Sequence, residues 1–352
     1  MSLPLLIFRT GQLGDTLVSM PAIRAIRMRH PGSTVVLLTD RHPGRGFVSS
    51  WDVLAHTGWI DEVEFYTPEA GLVGKWRNSW RLFRRLRSRS FGHAYLLTPG
   101  RTAWQRWRDR VFFTFVVGAR ACLDPGAPSG MTRTADGSLA RLEPEWRRLL
   151  RAIPAANAGD FDLPVSAAAQ LEADKALAGI GGQLVGIAPG SKMPSKVWPA
   201  ERYLEVGRRL LAAHDELGLV VLGGAENAVI GNELCAAWGS RSRNLAGSVS
   251  VMGAAAVLKR CAAYLGNDTG TMHLAAIAGV PCVALFSARD NPGKWEPYGK
   301  GHAVLRRDVD CAGCMLEVCS EHMNKCLRLI GVDEVFLAVE KVLEPGDRAV
   351  SA

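Results

Sequence analysis

Pro4-Leu-Leu-Ile-Phe-Arg-Thr-Gly-Gln-Leu-Gly-Asp-Thr-Leu17 is an apolar run that stops at a polar loop punctuated by two glycines, after which Leu17 to Met28 takes up helical periodicity. Thr34-Val-Val-Leu-Leu38 follows as a second apolar run. Strand, loop, helix and strand in that order read as a βαβ unit, the opening of a parallel sheet.

The rhythm restarts at Leu184-Val-Gly-Ile-Ala188, with a helix near Glu201 to Ala213, a strand at Leu219 to Leu222 and a helix near Asn227 to Ala237. A helix at Val251 to Ala262, a strand at Ala263 to Gly266, a helix from about Thr271 and a strand at Cys282 to Phe286 continue it. Two α/β units are expected, and the 352 residues suffice for two cores. Residues 124–183, with Asp124-Pro-Gly-Ala-Pro-Ser-Gly130 and Pro154-Ala-Ala-Asn-Ala-Gly159, read as turns and linker. The expected divisions are 1–170, 182–330 and a C-terminal helix and tail at 331–352.

Composition narrows the function classes. No apolar run approaches the roughly 18 residues of a membrane span, and no secretory signal pattern is evident, so a cytoplasmic protein is expected. The net charge of +8 is concentrated: residues 71–120 hold twelve Lys or Arg against the single acid Asp109, leaving the rest of the chain acidic. Arginines alternate with aromatics from Lys75-Trp76-Arg77 through Arg81 to Arg89, and again at Trp104, Arg106, Trp107, Arg108 and Arg110. Such a surface over residues 75–110 suits peripheral contact with an anionic membrane face or an anionic acceptor, or is a solvated helix face. No nucleic-acid motif accompanies it, and no nucleic-acid partner is expected.

Polar residues gather wherever a strand hands over to a helix. Gly11-Gln-Leu-Gly14-Asp15-Thr16 places a carboxylate among backbone amides, serving a ligand or merely capping the helix. It lacks the Gly-x-Gly-x-x-Gly and Lys-Ser/Thr patterns, which disfavours a hydride-transfer enzyme and a P-loop ATPase. Ser191, Lys192 and Lys196 follow the next strand and suit a diphosphate, unless the lysines are simply solvated. Glu226, in Gly223-Gly-Ala-Glu-Asn227, is placed to receive ribose hydroxyls or to cap a helix. Asp268, Thr269, Gly270 and His273 concentrate a carboxylate, a hydroxyl, amides and an imidazole at a further strand end, although a lone histidine is more often structural. A parallel sheet sets these loops along one edge, which makes the set more telling than any member.

Together these segments resemble glycosyltransferase family nine, typified by heptosyltransferases. The resemblance rests on Arg9-Thr-Gly-Gln-Leu-Gly-Asp-Thr-Leu17 with Pro21-Ala-Ile-Arg24, Gly190-Ser191 to Trp198-Pro199, Gly224-Ala-Glu226, Asn244-Leu-Ala-Gly247 and Asp268-Thr-Gly-x-x-His273. It implies a GT-B fold, two Rossmann-like domains facing a central cleft, with the acceptor on the N-terminal domain and an ADP-sugar on the C-terminal one. It further implies an inverting transfer with no metal required for the chemistry. Asp15 would be the general base, with Gly11, Gly14 and Thr16 in the acceptor-side loop. Ser191 with Lys192 or Lys196 would hold the diphosphate. Asp268, Thr269, Gly270 and His273 would lie at the donor sugar and phosphate, Glu226 at the ribose and Val249 at the adenine. The acceptor implied is an anionic glycolipid or glycan, which would place the protein at the inner face of the cytoplasmic membrane.

Phe286-Ser-Ala-Arg289 departs from the family's usual Gly-Pro-Thr and opens the question of the donor. A transferase of the same family using a different nucleotide sugar or a protein or small-molecule acceptor, a nucleotide-sugar epimerase and a non-catalytic nucleotide-sugar-binding protein stay open as alternatives. Asp308-Val-Asp310 forms the pattern of metal-dependent transferases, though beyond the nucleotide motifs. Cys311, Cys314, Cys319 and Cys326 lie within sixteen residues and supply enough ligands for a structural zinc or iron.

Overall fold

The computed structural model describes residues 2–42, 48–67, 72–128, 130–156 and 162–344, with residues 72–79 described in backbone only. It divides into two compact units, residues 1–130 with 143–164, and residues 131–142 with 165–352. The chain thus leaves the first unit for twelve residues and returns, instead of crossing once near 170. Asn291 explains the detour: its Nδ2 donates to the Thr132 and Ala140 carbonyls at 2.7 and 2.8 Å, tying the 131–142 segment to the second unit.

The first unit is built from β1 (Leu5–Phe8), α1 (Leu13–Arg29), β2 (Val35–Asp40), α2 (Ser50–Leu54), β3 (Glu62–Tyr66), α3 (Leu72–Arg87), β4 (His93–Leu96), α4 (Ala103–Val111), β5 (Ala121–Leu123) and α5 (Glu145–Leu150). Its five strands are parallel, in the order β3-β2-β1-β4-β5. β1 and β2 are buried along their whole length, as expected of strands covered on both faces. β3 and β4 are short and partly polar, which hid them from periodicity. The apolar run from Val111 becomes a π-helical turn, Phe112–Val116, continuing α4.

The second unit holds α6 (Ala167–Ala176), β6 (Gln183–Ala188), α7 (Ala200–Ala213), β7 (Leu217–Val221), α8 (Ala228–Trp238), β8 (Ser242–Asn244), α9 (Val251–Leu258), β9 (Cys261–Asn267), α10 (Gly270–Ile277), β10 (Cys282–Phe286), β11 (Ala303–Arg306), α11 (Lys325–Arg328) and α12 (Val332–Leu343). Its sheet is also parallel, in the order β11-β10-β9-β6-β7-β8. The helix expected to reach Ala262 stops at Leu258, and Cys261 and Ala262 already belong to β9. The C-terminal helix is no appendage, because Val335, Val339 and Leu343 of α12 join Trp198, Tyr203 and the strand residues in one core.

In chain order within each unit, both sheets follow the Rossmann order: the first strand is central, two lie on one side and the later ones on the other. The order reverses between β1 and β4 and between β6 and β9. Ligands of open α/β sheets bind beyond the strand C-termini at such reversals, where diverging connections leave a crevice. Most of the candidate residues follow β1, β6 and β9.

Candidate functional site

In the second unit the β6 and β9 loops are joined by Asn267, the last residue of β9, which is fully buried. Its Nδ2 donates to the Pro189 carbonyl at 2.8 Å, and its Oδ1 accepts from the Trp198 N–H and the Tyr203 hydroxyl, each at 3.0 Å. One amide thus fixes both ends of the Gly190–Val197 loop against β9. A Cβ at Gly190 would stand 1.8 Å from Asn227 Nδ2, so a larger residue there displaces the Asn227 side chain.

On this frame Lys196 Nζ meets Asp268 Oδ2 at 2.6 Å, both side chains being largely buried. The Ser191 hydroxyl accepts from the Met193 N–H at 3.2 Å, while Lys192 lies exposed on the same loop. Ser195 turns the other way, its hydroxyl donating to the Leu316 carbonyl at 2.6 Å. Thr269 is the N-cap residue of α10, and Gly270 opens that helix. The Thr269 Oγ1 and Tyr264 hydroxyls are buried and face each other, with no other hydrogen-bond partner among the described residues. Burial pushes the Tyr264 phenol well above its ordinary range, so it stays a neutral donor. His273 is buried one turn into α10, its N–H bonded to the Thr269 carbonyl at 3.3 Å.

Glu226 is exposed on a short 3-10 turn after β7, and the Gly247 N–H donates to the Gly223 carbonyl at 3.0 Å, drawing the β8–α9 loop onto that turn. Val249, half-buried, follows in this loop. The structure therefore brings Ser191, Lys196, Asp268, Thr269 and Gly270 to adjacent strand ends, with Glu226 and Val249 on loops of the neighbouring strands β7 and β8.

In the first unit Asp15 stands in the first turn of α1, and its Oδ2 accepts from the Gln12 N–H at 3.0 Å. It thus caps the helix, but its side chain keeps 25% of its exposure, enough for a second partner. Gly11 has φ +118, and a Cβ there would stand 2.6 Å from Asp15 Oδ2, so a glycine suits the position twice over. Gly14 lies within α1. Thr16 is fully buried, and its hydroxyl pairs with Ser50 Oγ at 2.7 Å, so it braces α1 against α2 and does not line the loop's exposed side.

Behind Asp15 lies Arg9, only 1% exposed, with Nη2 at 3.7 Å from Asp15 Oδ1, Nη1 on the Leu97 carbonyl and Nε without a partner. Burial pulls the Arg9 guanidinium below its ordinary value, opposed by the carboxylates of Asp15, Glu145 and Asp40. Asp40 closes β2, and its Oδ1 accepts from the Gly11 N–H at 3.2 Å. Sequence reasoning gave Arg9, Asp40 and Asn267 no role. The signal was a charged or amide residue directly abutting an apolar strand, where a polar group has to find its partners at the sheet's edge.

One expectation fails. The four thiols do not form a metal centre: among the described residues no three His, Cys, Asp or Glu side chains are placed to hold an ion. Cys326, on α11, packs against the core. Asp308 and Asp310 are held by cations, Arg306 at 3.1 Å and Lys325 at 3.2 Å.

Two parallel sheets with these loop-borne half-sites define the GT-B class of glycosyltransferase fold. The solved structure of Escherichia coli ADP-heptose lipopolysaccharide heptosyltransferase II superposes with a TM-score of 0.69 at 19% identity, covering 97% of this chain and 98% of that one. A family 9 glycosyltransferase from Veillonella parvula gives a TM-score of 0.74 at 20% identity, with the same coverage of 97% and 98%. In sequence, glycosyltransferase family 9 (heptosyltransferase) matches residues 154–325. Lipopolysaccharide heptosyltransferase 2 of Salmonella typhimurium is 36% identical over 128 residues, 35% of this chain and 36% of that protein, so the match spans about a third of that relative. Lipopolysaccharide heptosyltransferase 1 of Pseudomonas aeruginosa is 26% identical over 340 residues, 90% of this chain and 87% of that protein. Over residues 154–325, just under half of its length, the chain is thus similar to glycosyltransferase family 9, and its fold along nearly the whole chain is that of the solved heptosyltransferase structure.

Proposed function

We propose that the protein transfers a sugar, heptose in the first instance, from an ADP-sugar to a hydroxyl of a lipopolysaccharide-core or other anionic glycan acceptor, with inversion at the anomeric carbon. The observation that carries this is the largely buried Lys196–Asp268 pair at 2.6 Å, set where strand order reverses in the second unit. Lys196 would exchange part of its contact with Asp268 for a diphosphate oxygen, and the Asp268 carboxylate would then accept from sugar hydroxyls. Ser191, Lys192, Gly270 and His273 complete the phosphate and sugar side, with Glu226 at the ribose and Val249 at the adenine.

Asp15 takes the proton of the acceptor hydroxyl while the new C1–O bond forms. The C1–O bond to the diphosphate breaks, and its electron pair leaves on ADP, where the Lys196 cation stabilises the charge. In this reading the charge neutralisation is done by side chains, and the reaction takes place at the cytoplasmic face of a membrane. Among the described residues no helix is long and apolar enough to cross a bilayer.

The test measures ADP release from ADP-heptose with and without a core-oligosaccharide acceptor, alongside calorimetric binding of ADP and UDP. Acceptor-dependent release and preferential ADP binding are expected. Release that ignores the acceptor, with an altered sugar as product, would assign an epimerase, and binding without turnover a non-catalytic protein.

A further inference from the structure

The helix α4 carries its apolar face outward. Trp104 (64% exposed), Trp107 (62%) and, in the π turn beyond, Phe115 (74%) stand in solvent. The inward side is polar at its start: Arg106 pairs with Asp124 at 2.9 Å, and the buried Asp109 faces Arg101 at 3.6 Å, before Phe113 enters the core with Phe8 and Leu86. An ordinary surface helix has the reverse arrangement, aromatics in and charges out. Aromatics clustered on one face mark an interaction surface.

The charges around this face indicate what binds it. Arg108 lies over the Trp104 ring at 5.6 Å, with its Nε and Nη2 both donating to Asp109 Oδ1 and about half of its side chain in solvent, and Arg110 is exposed beside it. The end of α3 is tied to the same place, since Arg87 donates to the Phe115 and Val116 carbonyls at 3.0 and 3.1 Å. On α3, Trp80, Arg81 and Arg84 are exposed as well. Residues 80–120 contain ten arginines against the single acid Asp109. Two copies meeting through this face would set arginine against arginine. Tryptophan at headgroup depth with arginine on phosphate is the pairing that an anionic bilayer surface selects.

We propose that this face docks on an anionic phospholipid bilayer, with Trp104, Trp107 and Phe115 entering the headgroup layer and Arg108 and Arg110 pairing with lipid phosphates. Binding of this kind needs neither donor nor acceptor, so it stands or falls apart from the transferase reading.

The experiment is co-sedimentation of the whole protein with phosphatidylglycerol–phosphatidylcholine vesicles and with pure phosphatidylcholine vesicles. Wild type is expected to bind the anionic vesicles, and less so as salt rises. Trp104→Ser with Trp107→Ser, and separately Arg108→Glu with Arg110→Glu, should each weaken binding at least about tenfold, with the melting temperature of the tryptophan variant unchanged because both side chains are exposed. Wild type that ignores anionic vesicles overturns the proposal, as does a tryptophan variant that binds them equally. So does a tryptophan variant that keeps its vesicle binding but loses self-association, which would make the face a contact between copies.

Discussion

The two half-sites occupy the same place in two sheets of the same order, yet they are held differently. In the second unit the frame is a neutral amide, Asn267, whose bonds to Pro189, Trp198 and Tyr203 use both its donor and its acceptor ends. In the first unit the group behind the site is a cation, Arg9, with one N–H unused and a carboxylate 3.7 Å away. A satisfied neutral network confers rigidity at low cost, whereas a buried charge costs several kcal/mol unless it is fully paired. The first suits precise grip on one ligand. The second keeps an electrostatic field on the carboxylate proposed as the base.

The largest expected effect tests the first-unit side of this contrast. Asp15→Asn keeps the helix cap's shape but cannot take a proton, and turnover should fall by about 10²–10⁴-fold while ADP binding, measured by calorimetry, is unchanged. Turnover near wild type would leave Asp15 as a cap alone.

Lys196→Met comes next. It removes the charge proposed to meet the diphosphate and strands Asp268, so ADP affinity should drop roughly 10- to 100-fold, as expected for a lost charge-assisted contact. The companion Lys192→Met should cost less, because Lys192 is exposed where Lys196 is held against Asp268. An equal loss in both would show that the loop's charge matters and the pairing does not.

Asn267→Ala bears on the frame itself. It orphans the buried Tyr203 hydroxyl, the Trp198 N–H and the Pro189 carbonyl, and should lower unfolding free energy by about 2–3 kcal/mol in denaturant titration. A loss within about 0.5 kcal/mol would mean that the two loops hold without it.

The repeated strand-loop-helix rhythm was legible because β1, β2, β6 and β9 are apolar runs ending in glycine and acidic residues. β3 and β8 were not, since Glu62, Glu64 and Arg243 break the apolar pattern at the sheet margins. The return of the chain through residues 131–142 depends on Asn291, a tertiary partner some 150 residues away in sequence and invisible to local reading. Lys196 and Asp268 were both nameable from their loops, but their pairing arises only because β6 and β9 are neighbours. Thr16 misled because a hydroxyl after a glycine loop reads the same whether it faces a ligand or Ser50.

Arg9→Met should have the smallest effect and decides what the contrast means. Methionine fills a similar volume, and exchanging a buried ion for an apolar side chain is often neutral or stabilising, so the unfolding free energy should change by no more than about 1–2 kcal/mol. Asp15 retains solvent and the Gln12 N–H, and Arg148 retains Glu145 at 2.6 Å, so no other charge is stranded. If the guanidinium orients Asp15, kcat should fall about tenfold with the donor KM unchanged, and the same substitution made on Asp15→Asn should cost nothing further, a coupling that a double-mutant cycle reads directly. If Arg9→Met instead lowers stability by several kcal/mol while the folded enzyme turns over normally, Arg9 is a strut, and the two half-sites differ in packing but not in chemistry.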